Sequence, residues 1–271
     1  MHPARGGVGV NQRDIGKQAV VEFIGPFALV FAGVGAIIAT RGENLVAIAL
    51  AHGLAIGLMI TAVGHISGGH FNPAVTIAML ATGRIEAARA GVYVVAQILG
   101  ATAAAGVLTA VYPDLGDLGR NVAGINNGVP AISPGIGVFS ATLLEVVLTF
   151  FLVFVIFGVA VDPRTPKVIA GLAIGLTITM DIFAGGVLSG AVMNPARALG
   201  PAIVQQDFTN AWVWIVGPVI GGLIAAFLYQ TVLLSGVREE PVADRVAASG
   251  APAPVVAKAP AAAPKRRTSR R

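Results

Sequence analysis

The chain has 271 residues, 55% of them apolar, only 11% charged and 35 of them Gly, with a mean hydropathy of +0.81; that balance excludes an ordinary water-soluble globule and points to an integral membrane protein. The absence of Cys excludes structural disulfides, thiolate metal sites and thiol nucleophiles. The net charge of +5 arises wholly in the last 36 residues, Gly236 to Arg271, which hold eight Lys+Arg against three Asp+Glu, so the body offers no basic surface for nucleic acid.

Residues 1–17 read as a short tail carrying Arg5, Arg13 and Lys17. The apolar stretch 18–40 that follows is longer than a signal peptide's core and lacks a small-residue cleavage site, so it is expected to remain as a helix. Five further stretches, 44–65, 90–112, 138–161, 168–185 and 211–234, come close to the roughly 20 residues that a hydrocarbon core requires. Two shorter pieces, Pro73 to Ala81 and Pro195 to Val204, would be roughly 15 Å long as helices and read as re-entrant half-helices. The predicted fold is an all-α membrane protein of six transmembrane helices and two half-helices, with a channel domain over 18–234. Lys and Arg gather on one side of the spans, in the N-tail, at Arg84 and Arg89, at Arg164 and Lys167 and in the C-tail, against Arg41 and Arg120 on the other. Both termini are therefore expected in the cytoplasm, and the membrane is expected to be the cell membrane. Residues 235–271, rich in Ala and Pro and ending Lys265-Arg266-Arg267-Thr268-Ser269-Arg270-Arg271, are expected to be disordered. Two roles are open for them: attraction to anionic lipid, tuned by modification at Ser269, or a plain topology determinant.

Ser67-Gly68 and Asn72-Pro73-Ala74 recur 122 residues later as Ser189-Gly190 and Asn194-Pro195-Ala196, and Gly53-Leu54-Ala55-Ile56 recurs at the same offset as Gly175-Leu176-Thr177-Ile178. Glu22 and Glu145 lie 123 apart, Gln97 and Pro218 121 apart, so the duplication runs through all three spans of each half, about 18–112 and 138–234. An odd number of spans per half forces the second half to enter the bilayer from the opposite side. The half-helices then start from opposite faces and their beginnings meet near the midplane. Asn is a good N-cap and Pro suits the first helical position, where its missing donor costs nothing. Two such starts aim positive dipole ends at one point, repelling cations and leaving Asn amide donors for a neutral oxygen. Irregular backbone at that depth is tolerable where it is buried in protein or lines a water-filled cavity. A pore is the physical expectation.

The segments Ser67-Gly68-Gly69-His70-Phe71-Asn72-Pro73-Ala74-Val75-Thr76 and Met193-Asn194-Pro195-Ala196-Arg197-Ala198-Leu199-Gly200-Pro201 resemble the two signature loops of the major intrinsic protein family, the aquaporins, and the likeness covers 18–234. This resemblance implies passive water conduction, a homotetramer with one pore per subunit, and a constriction outside the Asn pair formed by His52, Ile182, Ala191 and Arg197. Strict water channels of the family usually place Phe at the His52 position and His at the Ile182 position. The set here is similar to that of plant tonoplast-type members, which implies a wider, less polar filter that also admits ammonia, urea or hydrogen peroxide. Glycerol channels of the family usually carry Asp directly after this Arg, where this chain has Ala198; a glycerol facilitator is the nearest alternative, and an inverted-repeat transporter a more distant one.

Arg197 falls one helical turn after Asn194 and is expected to line water, with an ion pair to Glu22, Glu145 or Asp181 as the alternative. His52 either faces the lumen or bonds a helix carbonyl. Glu22 and Glu145 are expected to hold the stretches before each Asn through hydrogen bonds, and His65 and His70 to brace the first loop or line its vestibule. Asp181 reads as a carboxylate at the mouth of the fifth span, bracing the outer loop, attracting cations or standing in water. Gly53, Gly57, Gly171 and Gly175 would let helices approach closely, and the run Phe150 to Phe157 is expected to face lipid or another subunit. No reaction, metal or cofactor is required. The expected partners are water, small neutral solutes and the bilayer.

Overall fold

Each long helix forms where an uninterrupted apolar stretch satisfies its backbone polar groups within the segment, which lipid demands. The computed structural model describes residues 14–112 and 128–237; the N-tail before Asp14, Arg120 and the C-tail beyond Val237, with Ser269, lie outside the described residues. The elements are α1 (Ile15–Ala39), α2 (Leu45–Ser67), α3 (Pro73–Ala81), α4 (Ala87–Val111), α5 (Val138–Ile156), α6 (Ala170–Ser189), α7 (Pro195–Gln205) and α8 (Val213–Leu228). Wide π turns, Phe157–Val161 and Tyr229–Leu233, continue α5 and α8, and a 3-10 turn, Lys167–Ile169, leads into α6. Six helices, counted with these extensions, are long and apolar enough to cross a membrane. α6 runs four residues beyond the predicted end at 185. Gly185 does not break it, because a Cβ there would lie 2.7 Å from Leu148 and the bare backbone is what permits that contact. The helix stops instead at Gly190, which turns left-handed at φ 87°.

Packing follows the duplication. α1 lies along α4 and α5 along α8; α1 also meets α2, as α5 meets α6. The halves interlock, since each half-helix rests on the last long helix of the other half, α3 on α8 and α7 on α4. α2 and α6 join the halves directly. At their crossing a Cβ on Gly53 would sit 2.4 Å from Gly175 O, and one on Gly175 would sit 2.5 Å from Gly53 O. Backbone meets backbone there, and dispersion contact supplies the attraction that water would supply in a soluble core. Gly57 and Gly171 repeat the arrangement one turn along.

The Phe run corrects its expectation. Phe151 is half exposed, but Phe157 is fully buried with the Arg84 guanidinium 4.9 Å from its ring centroid. Phe150 and Phe154 stack on each other, and Phe154 meets Tyr229 edge to face. At the same end, which carries Arg84, Arg164 and Lys167, Asp162 accepts from Arg164 Nε at 2.9 Å and Tyr229 Oη at 3.1 Å. Hydrogen bonding to the Arg164 side chain, above the opposing effect of burial, holds the Asp162 carboxyl below the usual carboxylate range.

Candidate channel and constriction

The loop before α3 and the loop before α7 have one backbone. Gly68, Gly69 and Phe71 have φ of 95°, 63° and 52°, and Gly190, Ala191 and Met193 have 87°, 44° and 52°. Holding Phe71, Ala191 and Met193 left-handed costs about 1–2 kcal/mol each, so something must enforce the shape. Glu22 and Glu145 do so. Glu22 Oε1 accepts from Ser67 Oγ at 2.6 Å and His70 N at 3.0 Å, while Oε2 accepts from Phe71 N and Gln97 Nε2, both at 2.7 Å. Glu145 Oε1 accepts from Ser189 Oγ at 2.7 Å and Val192 N at 2.9 Å, and Oε2 from Met193 N at 2.8 Å. Peptide planarity ties each carbonyl's direction to its neighbouring N–H. With the N–H groups drawn outward to carboxylates, carbonyls of the same stretches turn inward.

Two further donors hold the loop starts: Tyr93 Oη donates to Ser67 O at 2.8 Å, and Trp214 Nε1 to Ser189 O at 2.8 Å. The sequence reading missed both. Their spacing of 121 residues matches that of Gln97 and Pro218 and was the available signal. Of the two histidines expected at the first loop, His70 bonds through Nδ1 to Thr76 Oγ1 at 3.1 Å and meets the Tyr93 ring edge to face. His65 departs from the bracing expectation. It is exposed, makes no hydrogen bond to the loop among the described residues, and lines a depression with Gly68 of that loop, Lys167, Gly171 and Ile60, which also lines the channel cavity.

The Asn side chains connect the two half-helices. Asn72 Oδ1 caps α3 by accepting from Ala74 N at 2.9 Å, and its Nδ2 donates to Met193 O at 2.8 Å. Asn194 Oδ1 caps α7 by accepting from Ala196 N at 3.0 Å and Arg197 N at 3.3 Å, and its Nδ2 donates to Phe71 O at 2.9 Å. Pro73 and Pro195 occupy the first helical positions, with Ala74 and Ala196 behind them fully buried. Each Nδ2 keeps one hydrogen, and both Asn residues line a narrow cavity of about 30 Å³. That is room for a short file of waters and not for a bulky solute. Apolar side chains, among them Ile56, Ile60, Leu152, Ile174 and Ile178, share its remaining wall with His52, His70 and Arg197.

A second cavity of about 90 Å³ opens beyond it, past Gly42 and Pro130. His52, Ile182 and Arg197 line both cavities, and Ala191 lines the first, so these four side chains stand where the two spaces adjoin. Arg197, 4% exposed, donates from Nη1 to Gly128 O at 2.6 Å. A backbone carbonyl takes the place of the carboxylate partner considered from sequence. His52 Nδ1 lies 2.8 Å from Ile48 O; a carbonyl only accepts, so Nδ1 carries the hydrogen of this bond. The ring thus bonds a helix carbonyl and also borders both cavities. The ring lies over Gly33 of α1, where a Cβ would be 2.3 Å from Nε2. Gly33 escaped the sequence reading; its signal was the spacing from Gly25, which clears the Phe71 ring in the same way two turns earlier.

Asp181 corrects the reading of a carboxylate at the span's mouth. It is 1% exposed, inside α6, and hydrogen-bonds no loop among the described residues. The next residue, Ile182, faces the cavities, so the helical turn of about 100° per residue carries Asp181 away from them into the wall.

A comparison with protein families finds the one described as Major intrinsic protein over residues 10–229. The chain is 40% identical over 220 residues to Aquaporin NIP1-1 of Zea mays, covering 80% of this chain and 74% of that protein. It is also 40% identical over 240 residues to Aquaporin TIP4-4 of Zea mays, covering 83% and 90%. Among solved structures, the aquaglyceroporin from Plasmodium falciparum superposes with a TM-score of 0.74 at 25% identity, over 82% of this chain and 98% of that one. The chain belongs to the major intrinsic protein family, as an integral membrane channel of aquaporin type and not an enzyme.

Proposed function

We propose that this channel conducts water passively in single file, and that His52, Ile182, Ala191 and Arg197 form its selectivity filter. The observation that carries the reading is the narrow cavity lined by both Asn residues and adjoining an outer cavity at His52, Ile182 and Arg197. Water accepts from Asn72 and Asn194 Nδ2 at the midplane, so its own hydrogens point away along both arms and the proton wire is interrupted there. The starts of α3 and α7 and the guanidinium of Arg197 oppose cations. Ile182 offers no hydrogen-bonding group, which favours ammonia, urea and hydrogen peroxide beside water. The small cavity and Ala198 weigh against glycerol as the main substrate. The basic end faces the cytoplasm of the cell membrane, and four copies assemble with one pore each; charge distribution supports the first and family resemblance the second.

Stopped-flow shrinkage of proteoliposomes tests this reading. Water flux linear in the osmotic gradient, with low activation energy and no ion dependence, is expected, and His52→Phe should cut ammonia and urea flux while sparing water. Saturable, ion-coupled flux would overturn the channel mechanism. Ammonia flux absent from the wild type would overturn the wider filter alone.

A further inference from the structure

Asp181 takes no part in this conduction scheme, yet it precedes Ile182 on α6 and is 1% exposed. Its Oδ2 is buried with no hydrogen-bond partner among the described residues. A buried carboxylate is ordinarily paired or fully hydrogen-bonded, because an isolated ionised one loses more hydration than a low-dielectric interior returns. Among the described residues, the elements packed on α6 supply no counter-charge to Asp181. α5 brings Glu145, an acidic residue whose oxygens are occupied by the Ser189–Met193 loop. α2 brings His52, whose Nδ1 is committed to Ile48 O, and the exposed His65. The turn before α6 brings Lys167, which donates to Asp162 O. Arg197 donates to Gly128 O.

We propose that Asp181 is carried as the neutral carboxylic acid, which keeps a second negative charge out of the wall against which Arg197 repels cations. The inference rests on the reading of the filter given above. Ionised, Asp181 would stand beside Ile182 as a fixed negative charge and would draw cations toward the constriction. Neutral, it is a small polar group whose size and shape Asn reproduces.

Infrared spectroscopy of the full chain in lipid tests the protonation state without reference to transport. A protonated-carboxyl C=O band is expected at neutral pH and should disappear in Asp181→Asn; a spectrum that this substitution leaves unchanged overturns the proposal. In proteoliposomes, Asp181→Asn should match the wild type in water flux and cation exclusion at neutral pH. In alkaline medium the wild-type cation leak should rise on the order of tenfold, the size expected of one unit charge near a wall of effective dielectric near 20, while the variant stays tight. A variant that leaks at neutral pH, or a wild-type leak that stays flat on alkalinisation, defeats the idea. Should Asp181→Asn not fold, the wild-type leak still decides. Loss of water conduction altogether would sink the channel reading and leave the infrared result standing.

Discussion

Asn72 and Asn194 each donate from Nδ2 to the carbonyl that precedes the other, Asn72 to Met193 O at 2.8 Å and Asn194 to Phe71 O at 2.9 Å. The exchange ties the two loops together across the duplication and spends one amide hydrogen of each Asn on structure. The second hydrogen is the one left for a passing molecule. Asn194→Asp removes both hydrogens and sets a carboxylate against Phe71 O, so water flux should fall at least tenfold and folded yield should drop. Stopped-flow permeability normalised to folded protein separates the two effects.

The two buried Glu residues should differ in tolerance to Gln. In Glu22→Gln the new amide NH2 must still face a backbone N–H, of His70 or Phe71, but Gln97, whose Oε1 has no partner, can turn over at the cost of its bond to Thr76 Oγ1 and accept from that NH2. The corresponding position in the second half is Pro218, which offers no such exchange. Glu145→Gln leaves the same clash with no neighbouring amide to accept from the new NH2, at a cost of roughly 2–5 kcal/mol once a charge-assisted bond is lost and a buried N–H is left unpaired. Thermal unfolding in detergent is expected to show the larger loss for Glu145→Gln. Equal losses would count against the role given to Gln97.

Gly33→Ala should separate stability from conduction. The added Cβ would lie 2.3 Å from His52 Nε2, so the ring must move. A side-chain ring shifts more cheaply than backbone, so the thermal midpoint should change little while water flux falls severalfold through a distorted constriction. Unchanged flux would mean that the His52 ring does not set the narrowest point.

Ala191→Gly relieves a φ of 44°. The strain relieved, about 1–2 kcal/mol, exceeds the roughly 0.4–1 kcal/mol that a glycine adds to the freedom of the unfolded chain, so the variant should be slightly more stable. Removing the methyl should also raise urea flux relative to water. A lower melting temperature would show that the Ala191 methyl contributes packing larger than its strain.

Acid should weaken the junction at Asp162. Its folded-state carboxyl titrates below the ordinary value near 3.9 because of Arg164. Stability from this contact is therefore complete above the ordinary carboxylate range and is lost as pH falls through the depressed folded value. Asp162→Asn should lower the thermal midpoint at neutral pH, and the gap to the wild type should close on acidification. A gap independent of pH would assign the contact to shape and not to charge.

The sequence alone determined the six spans, the two half-helices and their inverted relation, because apolar length is a local property and because a 122-residue echo through an odd number of spans admits one topology. It also pointed to Asn72, Asn194, Glu22 and Glu145, since a polar residue kept inside an apolar stretch must have a partner or a lumen. Only tertiary structure decided what those residues touch. The exchange of Asn amides for opposite carbonyls, the Tyr93 and Trp214 clasps and the space Gly33 leaves for His52 each join residues far apart in the chain, and no local pattern encodes such distances. Asp181 shows the same limit: a shift of one position along a helix turns a side chain about 100°, enough to carry it from the lumen beside Ile182 into the dry wall behind it.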